Sequence, residues 1–129
     1  MKPKFKHQNE EEIKAYLAQH NLSAECTDTG LYYHLSAIGE GKQPNEKSNI
    51  SIAYIGYLCN GDIFDQNTKL EINLQDVIPG WTEGIQHFNE GSEGILFVPA
   101  HLAYGDTDYG SIPGGSVLIF DIQLIKVHS

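Results

Sequence analysis

The chain has no arginine; its eight basic residues are all lysine and stand against 17 acidic ones, for a net charge of −9. A surface so poor in cations cannot make the dense phosphate contacts that nucleic acid requires, and it is repelled by anionic membrane surfaces. The acid excess serves solubility. No apolar run approaches the ~20 residues that span a bilayer. The basic start Met1-Lys2-Pro3-Lys4-Phe5-Lys6-His7 runs into Glu10-Glu11-Glu12, where a signal peptide needs its apolar stretch. A cytoplasmic protein is expected. Cys26 and Cys59 can stand free or make one bridge, and without an export signal two free thiols are the expectation.

The usual catalytic sets are also missing. His7, His20, His34, His87, His101 and His128 are scattered, with no HxxxH, HxH or CxxC pairing, so neither a metal nor a cofactor is expected. There is no Gly-x-Gly-x-x-Gly, no Gly-Lys-Ser/Thr phosphate cradle and no Gly-x-Ser-x-Gly elbow.

What is present is enough for one domain: 129 residues, 40% hydrophobic and 19% charged. Asn9, three residues before Glu12, reads as the cap of a short helix. Ile13, Tyr16, Leu17 and His20 then share one face, and Asn21 is a plausible stop. That stripe is too narrow to form a core alone, so the helix must dock, on its own domain or on a second copy. Leu31 to Leu35 reads as a strand, and the polar stretch from Gly39 to Asn49 as a loop. Ile50 to Cys59 alternates, with Ile50, Ile52, Tyr54, Gly56 and Leu58 on one face, and ends at Asn60-Gly61, a strong hairpin signal. A return strand carries Ile63-Phe64-Asp65, and a further alternation runs from Lys69 to Leu74.

The period then changes. Ile78, Trp81, Ile85 and Phe88 follow helical spacing, with Pro79 in the first turn, where its missing N–H costs nothing. Strands are expected from Gly94 to Val98 and from Ser116 to Val127, separated by a loop from Ala100 to Gly115 rich in Gly, Asp and Tyr. Strands joined by turns around one central helix argue an α+β fold with an antiparallel sheet packed on that helix. On spacing alone Trp81 and Phe120 are core residues, and Asp65 is a turn-capping acid. Tyr54 on an apolar face needs a partner for its hydroxyl.

Taken in order, five blocks change that reading. Tyr54-Ile55-Gly56-Tyr57-Leu58 with Gly61-Asp62-Ile63-Phe64-Asp65 comes first, then Val77-Ile78-Pro79-Gly80-Trp81. Val98-Pro99 with Leu102-Ala103-Tyr104-Gly105 follows, then Ile112-Pro113, and last Leu118-Ile119-Phe120-Asp121. From about Leu31 to Val127 the chain resembles the FKBP-type peptidyl-prolyl isomerases. The acidic helix ahead of it is similar to the N-terminal extensions of some bacterial members. The resemblance implies a half-open antiparallel sheet wrapped around one short helix, with an N-terminal helical extension over residues 1–26 and the isomerase domain over 27–129.

It further implies rotation of X-Pro bonds in a pocket where Tyr54, Asp65, Trp81, Tyr104 and Phe120 carry catalysis. Phe64, Val77, Ile78 and Ile112 would line the substrate, with Trp81 as the floor. Ile78 N–H and the Tyr104 hydroxyl would donate to substrate carbonyls, and Tyr54 would bond Asp65. Partners would be proline-containing polypeptides, with macrolide inhibitors as a further ligand class and a dimer through the N-terminal helix as one mode of assembly. The same pocket serves a second reading, a peptide-docking or chaperone module that isomerises poorly. Leu70 stands where many members have an aromatic, and no arginine faces the pocket acid. Asp65 is therefore expected to pair either with Lys69 or with Tyr54 alone.

Overall fold

A computed structural model describes residues 4–128. Six strands form one antiparallel sheet in the order β1-β2-β5-β6-β3-β4. They are β1 (Glu25–Cys26), β2 (Tyr32–Ala37), β3 (Asn49–Leu58), β4 (Ile63–Asn73), β5 (Glu93–Val98) and β6 (Leu118–Val127). Helix α1 (Lys6–Gln19) lies against one face of the sheet and α2 (Pro79–Gly84) against the other, the latter running on into a 3-10 turn over Ile85–His87. This is the α+β arrangement expected from the order of elements.

The two faces follow from strand alternation. On β3, Ile50, Ile52, Tyr54 and Gly56 turn inward and are buried, as the period of two predicts. They join Trp81, Ile85 and Phe88 from the α2 region and Leu96, Val98, Leu118, Phe120, Ile122 and Leu124 from the sheet in the larger core. Gly80 and Gly84 let α2 come this close. A Cβ on Gly84 would stand 2.7 Å from a Leu96 methyl, and one on Gly80 would collide with Val98. The Asn60-Gly61 hairpin forms as expected, with Gly61 at φ 96°.

On the outer face Ile13 and Leu17 of α1 bury themselves against Tyr32, Phe97, Val117 and Ile119. The helix therefore docks on its own sheet. Asn21 ends it in the left-handed conformation at φ 58°, as its position suggested.

Four expectations need correction. The helix starts at Lys6, with Phe5 at the cap position and no side-chain cap, so Asn9 is interior to the helix and fully buried. The two separate stretches after the hairpin are one 11-residue strand, β4, whose pairing with β3 shifts register between Ile52 and Tyr54. Its middle, Gln66 to Lys69, is exposed on the sheet edge and so carries no alternating pattern. β2 runs two residues past Leu35. The sheet also begins with β1, at the end of the stretch read as extension, where Glu25 and Cys26 pair with Tyr33 and Tyr32. The first three residues of the basic start and Ser129 lie outside the described residues.

Candidate active site

The inner face of the sheet carries a cluster of aromatic side chains drawn from β3, β4, β6 and α2. Trp81 stands edge-on to Tyr54 at 4.9 Å between ring centroids and to Phe120 at 5.1 Å. Phe64 meets Phe120 edge-to-face at 5.6 Å. Such T-shaped contacts set the positive edge of one ring against the negative face of the next and hold each ring in one orientation. Gly56 is what lets the wall close. A Cβ there would lie 2.8 Å from Phe64 Cζ and 2.9 Å from Phe120 Cε1.

One acid lies at the rim. Tyr54 donates its hydroxyl to Asp65 Oδ2 at 2.6 Å, across neighbouring strands. Burial first, then the bond and the charge of Asp65, raise the Tyr54 pKa far above the ordinary tyrosine range. The phenol stays protonated and the donor stays in place. Among the described residues Asp65 has no ion pair, and Lys69 uses its backbone N–H on Asn67. Of the two expected partners, Tyr54 alone is the one present.

Val77 and Ile78 pack at the mouth of α2. Ile78 accepts from Trp81 N–H at 3.0 Å and from Thr82 N–H at 3.2 Å, while its own N–H donates to no group among the described residues. Pro79 in the first turn follows the sequence expectation. The Trp81 indole N–H is likewise buried without a partner among the described residues.

Tyr104 and Ile112 come from the loop between β5 and β6. Ile112 is buried in the inner core beside Trp81 and Phe120. Tyr104 is 36% exposed and stacks flat on Tyr109, with centroids 4.0 Å apart and planes 3° from parallel. Burial, Tyr109 and the charge of Asp65 raise its pKa, which puts its hydroxyl within the field of the rim acid. Seven of the nine residues singled out from the sequence lie in or pack on the inner core, Asp65 bonds Tyr54 at its edge, and Tyr104 stands on the loop stacked on Tyr109. Sequence reasoning passed over Tyr109, whose stacking fixes Tyr104, and Gly56 as a steric requirement. A tyrosine five residues from another in a glycine-rich loop carries no signal of that stacking.

Two other features occur. A depression of about 910 Å³ is lined by Tyr54 and Ile122 together with polar groups, Gln66, Glu93, Asp121 and Gln123 among them. His7, Glu10 and Glu11 form a group with metal-ligand reach on the exposed side of α1, remote in sequence from every pocket residue.

An antiparallel sheet packed on one short helix, with an aromatic cluster between them and a tyrosine-bonded acid at its edge, defines the class: an α+β protein with aromatic side chains gathered on one face. Residues 40–125 match the family described as FKBP-type peptidyl-prolyl cis-trans isomerase. The chain belongs to that family. It is 35% identical over 126 residues to a probable FKBP-type peptidyl-prolyl cis-trans isomerase FkpA of Neisseria meningitidis, covering 92% of this chain and 46% of the relative. Against FkpA of Escherichia coli K12 it is 36% identical over 105 residues, covering 78% of this chain and 39% of the relative. The crystal structure of FkpA from Escherichia coli superposes with a TM-score of 0.83 at 33% identity, over 94% of this chain and 60% of that one. A peptidyl-prolyl cis-trans isomerase from Pseudomonas syringae pv. tomato gives 0.82 at 27% identity, over 95% of this chain and 96% of that one. The chain spans less than half the length of these curated relatives. No helix among the described residues is long and apolar enough to cross a membrane.

Proposed function

We propose that this chain is a peptidyl-prolyl cis-trans isomerase that accelerates rotation about X-Pro bonds of polypeptide substrates at the aromatic cluster around Trp81. The observation that carries the reading is the aromatic box of Tyr54, Phe64, Trp81 and Phe120, set beside a backbone donor, Ile78 N–H, that has no internal acceptor. Rotation about the peptide bond makes and breaks no covalent bond, and its barrier of ~18–20 kcal/mol is lost resonance. The two X-Pro isomers differ by about 0.5–1 kcal/mol, so the reaction needs no energy source.

A catalyst has only to favour the twisted amide, in which charge separation across the carbonyl is reduced. A box walled by ring edges and faces excludes water, which solvates the planar, more polar amide best. Trp81 is the floor for the proline ring. Ile78 N–H and Tyr104 O–H hold the flanking carbonyls in the twisted geometry. Tyr54 is pinned by Asp65 at 2.6 Å, so its ring keeps the wall in place while its hydroxyl does no proton transfer. Each ~1.4 kcal/mol of preference for the twisted state is worth tenfold in rate.

The shallow aromatic side at Leu70 suits peptides better than bulky macrolides. A dimer through α1 finds less support, because Ile13 and Leu17 are already buried on the protein's own sheet. The unpaired Cys26 and Cys59 accord with a reducing compartment.

A protease-coupled assay on an X-Pro peptide tests the reading, with Phe120→Ala and Asp65→Ala beside the parent. Acceleration by the parent and its loss in Phe120→Ala is expected. A folded parent that gives only the uncatalysed rate would leave a peptide-docking module as the better account.

A further inference from the structure

The loop that carries Tyr104 and Ile112 is not closed by its own strands alone. Its base is a ring of four hydrogen bonds that passes through the side chain of Asn9. Asn9 Nδ2 donates to Gly115 O at 2.9 Å. Gly115 N–H donates to Gly105 O at 2.9 Å, and Gly105 N–H donates to Ala100 O at 2.8 Å. Ala100 N–H then donates to Asn9 Oδ1 at 2.9 Å and completes the circuit. Asn9 is the one amide in the circuit that both accepts and donates, so its side chain alone ties Ala100 to Gly115.

The setting is dry. Asn9 is fully buried and Ala100 is 2% exposed. The Phe5 ring lies against Gly115, where a Cβ would come within 2.7 Å of it. Gly105 and Gly115, both at φ 78°, take the left-handed turns that let the loop leave and re-enter at the same point. Tyr104 is the residue immediately before one of these turns. Ile112 sits three residues before the other, held by paired bonds to Tyr109 of 2.9 Å each.

We propose that Asn9 is a positioning residue of the isomerase site, through which α1 fixes the loop that presents Tyr104 and Ile112. Through this one side chain the N-terminal helix reaches the loop. This inference rests on the isomerase reading above. Removing the amide strands Ala100 N–H and Gly115 C=O, both buried, and frees the loop to carry Tyr104 away from the aromatic cluster.

Three variants of the full chain test it, all measured for kcat/KM on an X-Pro peptide with the folded fraction checked by circular dichroism. Asn9→Ala lowers kcat/KM about 10- to 100-fold, the scale that a displacement of about 1 Å costs. Leu17→Ala, which cuts a cavity under the same helix two turns away, leaves kcat/KM within twofold. Asn9→Asp separates positioning from mere stability. Its carboxylate accepts from Ala100 N–H but cannot donate to Gly115 O, whereas the neutral acid does both. Activity of Asn9→Asp therefore rises toward the parent value as pH falls. The neighbouring Glu12, 3.0 Å from Asn9 Nδ2, keeps the new acid protonated to a higher pH. The parent profile is the control.

Equal kcat/KM for Asn9→Ala and the parent, or an Asn9→Asp profile parallel to the parent's, overturns the proposal. If the parent itself is inactive, the isomerase reading fails first. Amide exchange over residues 100–115 then decides whether Asn9 fixes the loop: faster exchange in Asn9→Ala than in Leu17→Ala supports it, and equal exchange overturns it.

Discussion

Ile119 and Phe120 are consecutive on β6, equally buried, and face different surroundings. Ile119 points outward into a small aliphatic and aromatic patch capped by Ile13 and Leu17 of α1. Phe120 points inward and touches Tyr54, Phe64 and Trp81, each edge-on. The outer patch is a seal, in which a helix stripe meets a sheet. The inner face gathers four rings in edge contacts, beside donors, Ile78 N–H and the Trp81 indole, that have no partner among the described residues. Burial alone does not separate a core from a site. Unsatisfied donors beside fixed rings do.

The largest expected effect tests that separation directly. Ile119→Ala and Phe120→Ala should each cost stability on the core scale, about 2–5 kcal/mol for the isoleucine and about 3–5 for the phenylalanine. Urea denaturation measures both. Only Phe120→Ala should lower kcat/KM per folded molecule, by at least about tenfold, since it removes the wall that three other rings lean on. A comparable loss in Ile119→Ala would mean that the outer face also reaches the chemistry, and the contrast between faces would fail.

Gly56→Ala comes next. The added methyl must push Phe64 or Phe120 aside, from 2.8 and 2.9 Å. An overpacked core position typically loses about 1–3 kcal/mol, and the same displacement should raise KM as the rings shift. Unchanged KM with lowered stability would put the substrate site elsewhere.

The contrast between faces was partly legible before any coordinates. Alternation on β3 and the Ile78, Trp81, Ile85, Phe88 spacing assigned inward residues correctly, because both depend on local periodicity. The order of the five blocks named seven residues of the inner core, together with Asp65 at its edge and Tyr104 on the loop, and their roles in catalysis remain the proposal above. Asn9 was misread as a helix cap for a physical reason. An Asn three residues before a Glu offers the same local chemistry whether it caps a helix or bonds groups 91 and 106 residues away, and only the fold brings Ala100 and Gly115 to it. β4 was split in two because its middle lies on the sheet edge, where both sides meet water and no alternation is imposed.

Tyrosine ionisation probes both faces at once. Tyr32 on the outer side is pushed up to about 12 by burial and by its bond to Cys26. Tyr57, also outer, is raised by burial and by Tyr16 and Asp121, and inner Tyr54 by burial and Asp65. In the unfolded chain these groups titrate near the ordinary tyrosine value of about 10. Above that pH the unfolded state binds fewer protons than the native one, so stability is fully present below about pH 10 and falls as pH rises toward the native values. Urea midpoints between pH 9 and 11.5 should show the decline. Tyr54→Phe should make it shallower by the share of one proton, and an identical slope would contradict the Tyr54–Asp65 bond.

The smallest expected effect is Lys69→Ala. Lysine near a pocket acid invites an ion pair, and in a chain without arginine Lys69 is the basic residue nearest Asp65 in sequence. Asp65 instead takes its hydrogen bond from Tyr54, and Lys69 is exposed on the edge strand. Surface substitutions away from specific contacts stay within about 0.5 kcal/mol. Lys69→Ala should therefore leave stability, kcat/KM and their pH dependence unchanged. A drop in kcat/KM that salt reproduces in the parent would show Lys69 reaching Asp65 when substrate is bound, and the rim acid would then belong to a charged pair instead of to the aromatic wall.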